Sequence, residues 1–169
     1  MGMKKNWFKL DTKQIAGMAV LTALAVGLAL AFHVPLFLNF LEYDMADVPI
    51  FLCTFMYGPF AGVIVTVIVS VIQGFTVSAG GGYIGVIMHI LATGSYVLVS
   101  GIIYSKHKSF KGALIAIASG ILTWMVLMIL WNIIITPFYL HIPHKLIFDS
   151  LGLIVAFNAV KVTANSLLT

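Results

Sequence analysis

Asn158, Lys161 and Asn165 stand three and four residues apart inside the last apolar segment of the chain. At about 100° per residue these steps place all three on one helix face, within roughly 60° of one another. A lysine in lipid costs about 2.5 kcal/mol or more, so the face must look onto a protein interior or a cavity, which makes it a functional-site candidate. Asparagine amides both donate and accept hydrogen bonds, whereas an ammonium only donates. Asn132, beside Trp131 in the preceding long apolar segment, has the same unmet needs, which an interhelical hydrogen bond or a ligand would satisfy. His89 leaves three readings open: a core histidine bonded to a neighbour, a proton site or a ligand contact.

Other chemistry is poorly supported. Gly80, Gly81, Gly82 and Gly85 cluster between two apolar segments, but no strand precedes them and no GKS or GKT follows, so they read as a turn rather than a phosphate loop. HExxH, closely spaced His/Cys sets and GxSxG are absent, which leaves no metal centre and no nucleophile elbow. No catalytic constellation is visible, so no enzyme and no cofactor of its own are expected, and the stripe meets either a ligand or another helix.

These residues must be held by membrane helices. The chain has 169 residues, of which 62% are hydrophobic and 8% charged, against about 25% charged in soluble domains. Apolar stretches run from Ile15 to Phe32, Phe60 to Val77, Tyr83 to Tyr104, Ala113 to Phe138 and Leu146 to Leu168, with a shorter one from Val48 to Tyr57. A span needs about 20 apolar residues. No period-two alternation runs through them, so a helical bundle is expected and a barrel is not. The expectation is an all-α integral membrane protein, a single domain over residues 1–169, with six transmembrane helices, a short second helix and a long first extracytoplasmic loop. Cys53 is the lone cysteine and implies no disulfide framework.

Charge distribution orients the bundle. Lys4, Lys5, Lys9 and Lys13 precede the first span, and Lys106, Lys108 and Lys111 share one loop. The net charge of +4 is therefore a positive-inside pattern rather than a nucleic-acid patch. Six spans put both clusters in the cytoplasm together with both termini, whereas five would put the clusters on opposite sides. A cleaved signal peptide is set aside because the first apolar run exceeds the usual h-region. The end at Thr169 lacks a basic flank, as in a short or truncated tail.

Between spans, residues 33–47 carry Pro35, Asn39 and three acids, a length typical of binding loops. Asp47-Val48-Pro49 reads as a helix start and Gly58-Pro59 as a break followed by a new helix. Ala19, Ala23, Gly27 and Ala31 recur every four residues on the first helix, a smooth face for packing inside the bundle or against a separate membrane subunit.

The order of Leu41-Glu42-Tyr43-Asp44-Met45-Ala46-Asp47-Val48-Pro49, Tyr57-Gly58-Pro59-Phe60-Ala61-Gly62-Val63, Gly81-Gly82-Tyr83-Ile84-Gly85, Trp131-Asn132 to Pro137-Phe138-Tyr139 and Ala156-Phe157-Asn158-Ala159-Val160-Lys161 resembles the S components of energy-coupling factor (ECF) vitamin transporters. The likeness covers nearly the whole chain and is greatest to the riboflavin-binding members. It implies a bacterial cell-membrane protein that binds riboflavin on its outer side and docks through Ala19, Ala23, Gly27 and Ala31 onto a transmembrane coupling subunit served by two ATPases. It implies a substrate-binding site made of Asn132, Asn158 and Lys161, of Asp44 and Asp47 in the lid stretch, and of Gly82, Tyr83 and His89. The chain departs from those members at Val86 and His89, where a glutamate and an asparagine are common.

Overall fold

The structure, a computed structural model of the protein, describes residues 10–35 and 41–169. Lys4, Lys5 and Lys9 of the first basic cluster, and Asn39 of the loop, lie outside the described residues. Helix α1 spans Thr12–Ala31 and begins at a reciprocal cap in which the Gln14 amide donates to Asp11 Oδ1 at 2.7 Å and the Asp11 amide donates to Gln14 Oε1 at 3.0 Å. Two backbone donors that the first turn leaves over are thereby satisfied.

Two short strands follow, β1 (Val34–Pro35) and β2 (Glu42–Tyr43), paired antiparallel with Val34 opposite Tyr43. This ribbon departs from the all-α expectation. Pro35 lies in β1, and a proline at the margin of a two-stranded ribbon loses no essential ladder bond.

Helices α2 (Asp47–Tyr57) and α3 (Pro59–Phe75) form a hairpin around Gly58, whose φ of +105° suits glycine and few other residues. Pro59 opens α3 where its missing N–H costs nothing. After a 3-10 turn at Ala79–Gly81 come α4 (Gly82–Lys106) and α5 (Phe110–Leu140), then the short α6 (His144–Asp149) and α7 (Leu151–Leu167). The centre is aromatic and close-packed: Phe51 stacks on Tyr96 at 3.8 Å between ring centroids and meets Trp124 edge-on at 6.5 Å. Gly120 lets α5 close on α4, since a Cβ there would lie 2.8 Å from the Tyr96 ring.

The expected count of six spans is not reached by length. Helices α1, α4 and α5 are long and apolar enough to cross a membrane, whereas the apolar α2, α3 and α7 have 11, 17 and 17 residues. At 1.5 Å per residue, 17 residues cover about 25 Å, short of a hydrocarbon core of about 30 Å. What replaces length around α2 is the polar segment ahead of it, which runs into the protein interior: Leu41, Asp44, Ala46 and Asp47 are all buried.

Candidate functional site

Helices α3, α4, α5 and α7 and the segment before α2 enclose a cavity of about 570 Å³. That volume is in the usual range for small-molecule sites, about 300–1,000 Å³. Its polar wall is made of Asn132 from α5, Asn158 and Lys161 from α7, Asp44 from the loop and His89 from α4. Phe157, Trp124, Met88, Met128 and Ala92 supply apolar and aromatic surface. The helical steps of the stripe thus bring Asn158 and Lys161 onto one cavity, and α5 brings Asn132 onto the same wall.

Each polar side chain on this wall is held in a definite orientation. Asn158 Nδ2 donates to the Ile154 carbonyl at 2.8 Å, while its Oδ1 accepts from Trp124 Nε1 at 3.3 Å. A carbonyl can only accept and an indole N–H can only donate, so the amide stands one way round. Asn132 Nδ2 likewise donates to the Met128 carbonyl at 2.8 Å, and Thr136 donates to its Oδ1 at 3.2 Å. Each amide keeps one N–H and one lone pair free of these bonds.

Lys161 donates to Asp44 Oδ2 at 2.9 Å and to the Glu42 carbonyl at 3.0 Å. Two of its three protons therefore fasten the loop and one is left. Burial alone would raise the Asp44 carboxyl. The Lys161 ammonium first, then His89, the hydrogen bond from Lys161 and the one from the Ala46 amide, outweigh burial and bring it down to about 2. Asp44 is accordingly a carboxylate at neutral pH.

Asp47 lies behind the wall rather than on it. It is fully buried, accepts from the Thr93 hydroxyl at 2.8 Å and faces His89 Nε2 at 3.4 Å. Thr93 spends its proton on Asp47, so its oxygen, 3.4 Å from His89 Nε2, can only accept there. Nε2 therefore carries a hydrogen. Nδ1 pairs with Ser70 Oγ at 2.7 Å. His89 thus both lines the cavity and ties α4 to α2 and α3. Asp44, Asp47 and His89 bring one ligand atom each within 4.8 Å of one another, as a metal would need, but the Lys161 ammonium already balances Asp44 at that point.

Two expected residues are placed elsewhere. Tyr83 is 77% exposed and stands off the cavity, and Gly82 is absent from its wall, which takes Gly80, Gly81 and Gly85 instead. Gly82 has φ +53°, so its part is the turn itself. Asn165, the third member of the stripe, does not line the cavity: it bonds to Asp44 and Asp47 of the loop segment. Sequence reasoning missed Trp124, Thr136, Ser70 and Gln73, all on the wall. Two loop links were also missed, from Ser78 to Glu42 Oε2 at 2.6 Å and from the Tyr139 hydroxyl to the Gly80 carbonyl at 2.8 Å. Each is an ordinary residue at helical spacing, with no signal apart from its partner.

On the other side of the bundle, Ala19, Ala23 and Gly27 line an apolar groove between α1 and α3 with Ile64, Ile68 and Ile72. Ala31 is exposed at the end of α1, outside the groove. Ala25 and Ala29, by contrast, are buried against the bundle, so α1 is smooth on two faces.

Fold and cavity together define an apolar, helical membrane protein built around a site with a fixed polar wall. Residues 6–169 match the family model of the ECF transporter substrate-specific component, and the chain belongs to that family. The riboflavin transporter FmnP of Bacillus subtilis (strain 168) is 27% identical over 139 residues, spanning 80% of this chain and 73% of that protein. The riboflavin transporter RibU of Staphylococcus aureus (strain TCH60) is 30% identical over 131 residues, spanning 76% and 68%. The solved structure of the S component of a bacterial ECF transporter superposes with a TM-score of 0.76 at 27% identity, over 92% of this chain and 90% of that one.

Proposed function

We propose that this chain is the substrate-capturing membrane subunit of an ECF-type importer and that its substrate is riboflavin. The observation that carries the reading is the convergence of Asn132, Asn158 and Lys161 on one cavity. The flavin ring is flat and uncharged, with carbonyl and imide groups along one edge. Asparagine amides match mixed donors and acceptors, the spare ammonium proton suits a carbonyl oxygen, and Trp124 and Phe157 offer surface for the ring faces. The two named riboflavin transporters among its relatives support the same substrate.

Binding is then the protein's own activity, and no step of catalysis is assigned to it. Gly82 and Tyr83 act on this reading through the turn at the cavity mouth rather than by direct contact, and Asp47 through His89 and the loop. The groove at Ala19, Ala23 and Gly27, extended to Ala31, receives a transmembrane coupling subunit, and two ATPases bound to that subunit supply the energy. Six helices traverse the bilayer of a bacterial cell, the three shorter ones aided by the loops that fold into the bundle, with both termini cytoplasmic. The exposed Lys106, Lys108 and Lys111 support that orientation.

Mass spectrometry of small molecules co-purifying with the protein tests the substrate. A flavin mass in the native preparation that disappears in Asn158→Ala supports riboflavin, and a different bound vitamin overturns it.

A further inference from the structure

Asn165 is fully buried and does not line the cavity. Its Nδ2 donates to the Asp44 carbonyl at 3.1 Å and to Asp47 Oδ2 at 3.3 Å, and its Oδ1 accepts from the Tyr43 hydroxyl at 3.3 Å. Both amide protons are therefore spent, and none is left for a ligand. One side chain on α7 thus grips three residues of the 43–47 segment. Asp44, inside that grip, holds the Lys161 ammonium one helical turn away at 2.9 Å.

We propose that Asn165 is a positioning residue, which clamps segment 43–47 so that Asp44 and the Glu42 carbonyl aim the remaining Lys161 proton into the cavity. The ammonium rotates freely about its last bond, so its direction is set by the acceptors that take its other two protons. Those acceptors sit on a segment with little regular structure of its own, two residues of ribbon followed by a turn. The clamp supplies the fixed position that the ribbon does not. Loss of the clamp therefore leaves the cavity-lining side chains of α3, α4, α5 and α7 in place but lets the loop, and Asp44 with it, lift, and the ligand escapes faster.

The kinetic half of the test rests on riboflavin being the substrate, and the distance half does not. Asn165→Leu removes all three bonds at similar volume, and Asn165→Asp keeps the shape and the acceptor while removing both donors. In a Cys53→Ala background, spin labels at Val34, which is paired with Tyr43 across the ribbon, and at exposed Phe138 report the loop. Labels at Phe138 and Val160, both exposed, report helices α5 and α7. In ligand-free protein both variants are expected to broaden the Val34–Phe138 distance toward longer values and to leave Phe138–Val160 unchanged. Riboflavin dissociation, followed by recovery of its fluorescence, is expected to quicken about tenfold or more with association within about twofold, as the loss of two hydrogen bonds in Asn165→Asp and three in Asn165→Leu implies. An unchanged Val34–Phe138 distance overturns the proposal, and so does equal broadening of both pairs, which marks general loosening. Wild-type protein that fails to quench riboflavin overturns the substrate instead, and the two distances still decide the role of Asn165.

Discussion

Lys161 Nζ lies 2.9 Å from Asp44 Oδ2, a contact that joins residues 117 positions apart and places an ion pair in the interior of a membrane protein. The pair closes the first loop onto the last helix at the wall of the cavity. It explains how a lysine is tolerated in an apolar helix: its charge is balanced by the loop, and its side chain is buried. Breaking such a pair from one side leaves an uncompensated buried charge, whereas replacing both members by apolar groups can be neutral.

Stability and binding should therefore separate at this pair. Lys161→Met is expected to cost about 3 kcal/mol of stability and to abolish riboflavin binding. Adding Asp44→Leu should recover most of the stability and none of the binding. Thermal unfolding in detergent and flavin titration of the same preparations check both, and binding that returned with stability would show that Lys161 does not touch the ligand.

Acid should act on Asp44 only late. Its carboxyl titrates at about 2 in the folded protein, below an unfolded value of about 3.9. A depressed carboxyl contributes stability that is complete above the unfolded value and is lost as pH falls through the folded one. The difference in stability between wild type and Asp44→Asn should thus hold steady from pH 7 to about 5 and shrink from about pH 4 toward 2. A difference that closes between pH 7 and 5 would contradict this assignment.

Trp124 should matter to binding through Asn158. Trp124→Phe keeps an aromatic ring and removes the N–H that holds Asn158 Oδ1 at 3.3 Å. The expected loss in riboflavin affinity is about fivefold, the worth of one hydrogen bond. In an Asn158→Ala background the same change should have a much smaller effect. Equal losses in both backgrounds would assign Trp124 to ring packing alone.

Docking should be separable from capture. Ala19→Trp and Ala23→Trp place bulk on the exposed side of α1, in the groove shared with Ile64 and Ile68. Riboflavin binding by the isolated protein should persist while co-purification with a coupling subunit and its ATPases is lost. If both variants lose flavin as well, the face supports the bundle rather than a partner.

Much of this arrangement was legible in the chain because membrane helices obey simple periodicity. Steps of three and four put Asn158 and Lys161 on one face, and the high cost of polar groups in lipid required that face to meet something polar. The helix start near Asp47 and the break at Gly58-Pro59 were equally readable, since proline and glycine act locally. What periodicity does not encode is the partner. Asn165 lies on the same stripe, yet its bonds run to Asp44 and Asp47, which only the inward fold of the loop makes available. Tyr83 belonged to the implied substrate site, yet its side chain is largely exposed and stands outside the cavity. Helix α2 falls short of a full span, and the buried segment ahead of it fills part of the bundle in its place.

Titration of purified wild-type protein with riboflavin, beside Asn158→Ala and Lys161→Met, measures the central claim most directly. Saturable quenching of flavin fluorescence with one site per chain, at or below roughly micromolar concentration, is the predicted result, with binding lost or greatly weakened in both variants. Folded wild-type protein that leaves riboflavin fluorescence unchanged at that concentration, or variants that bind it as well as wild type does, would contradict the account.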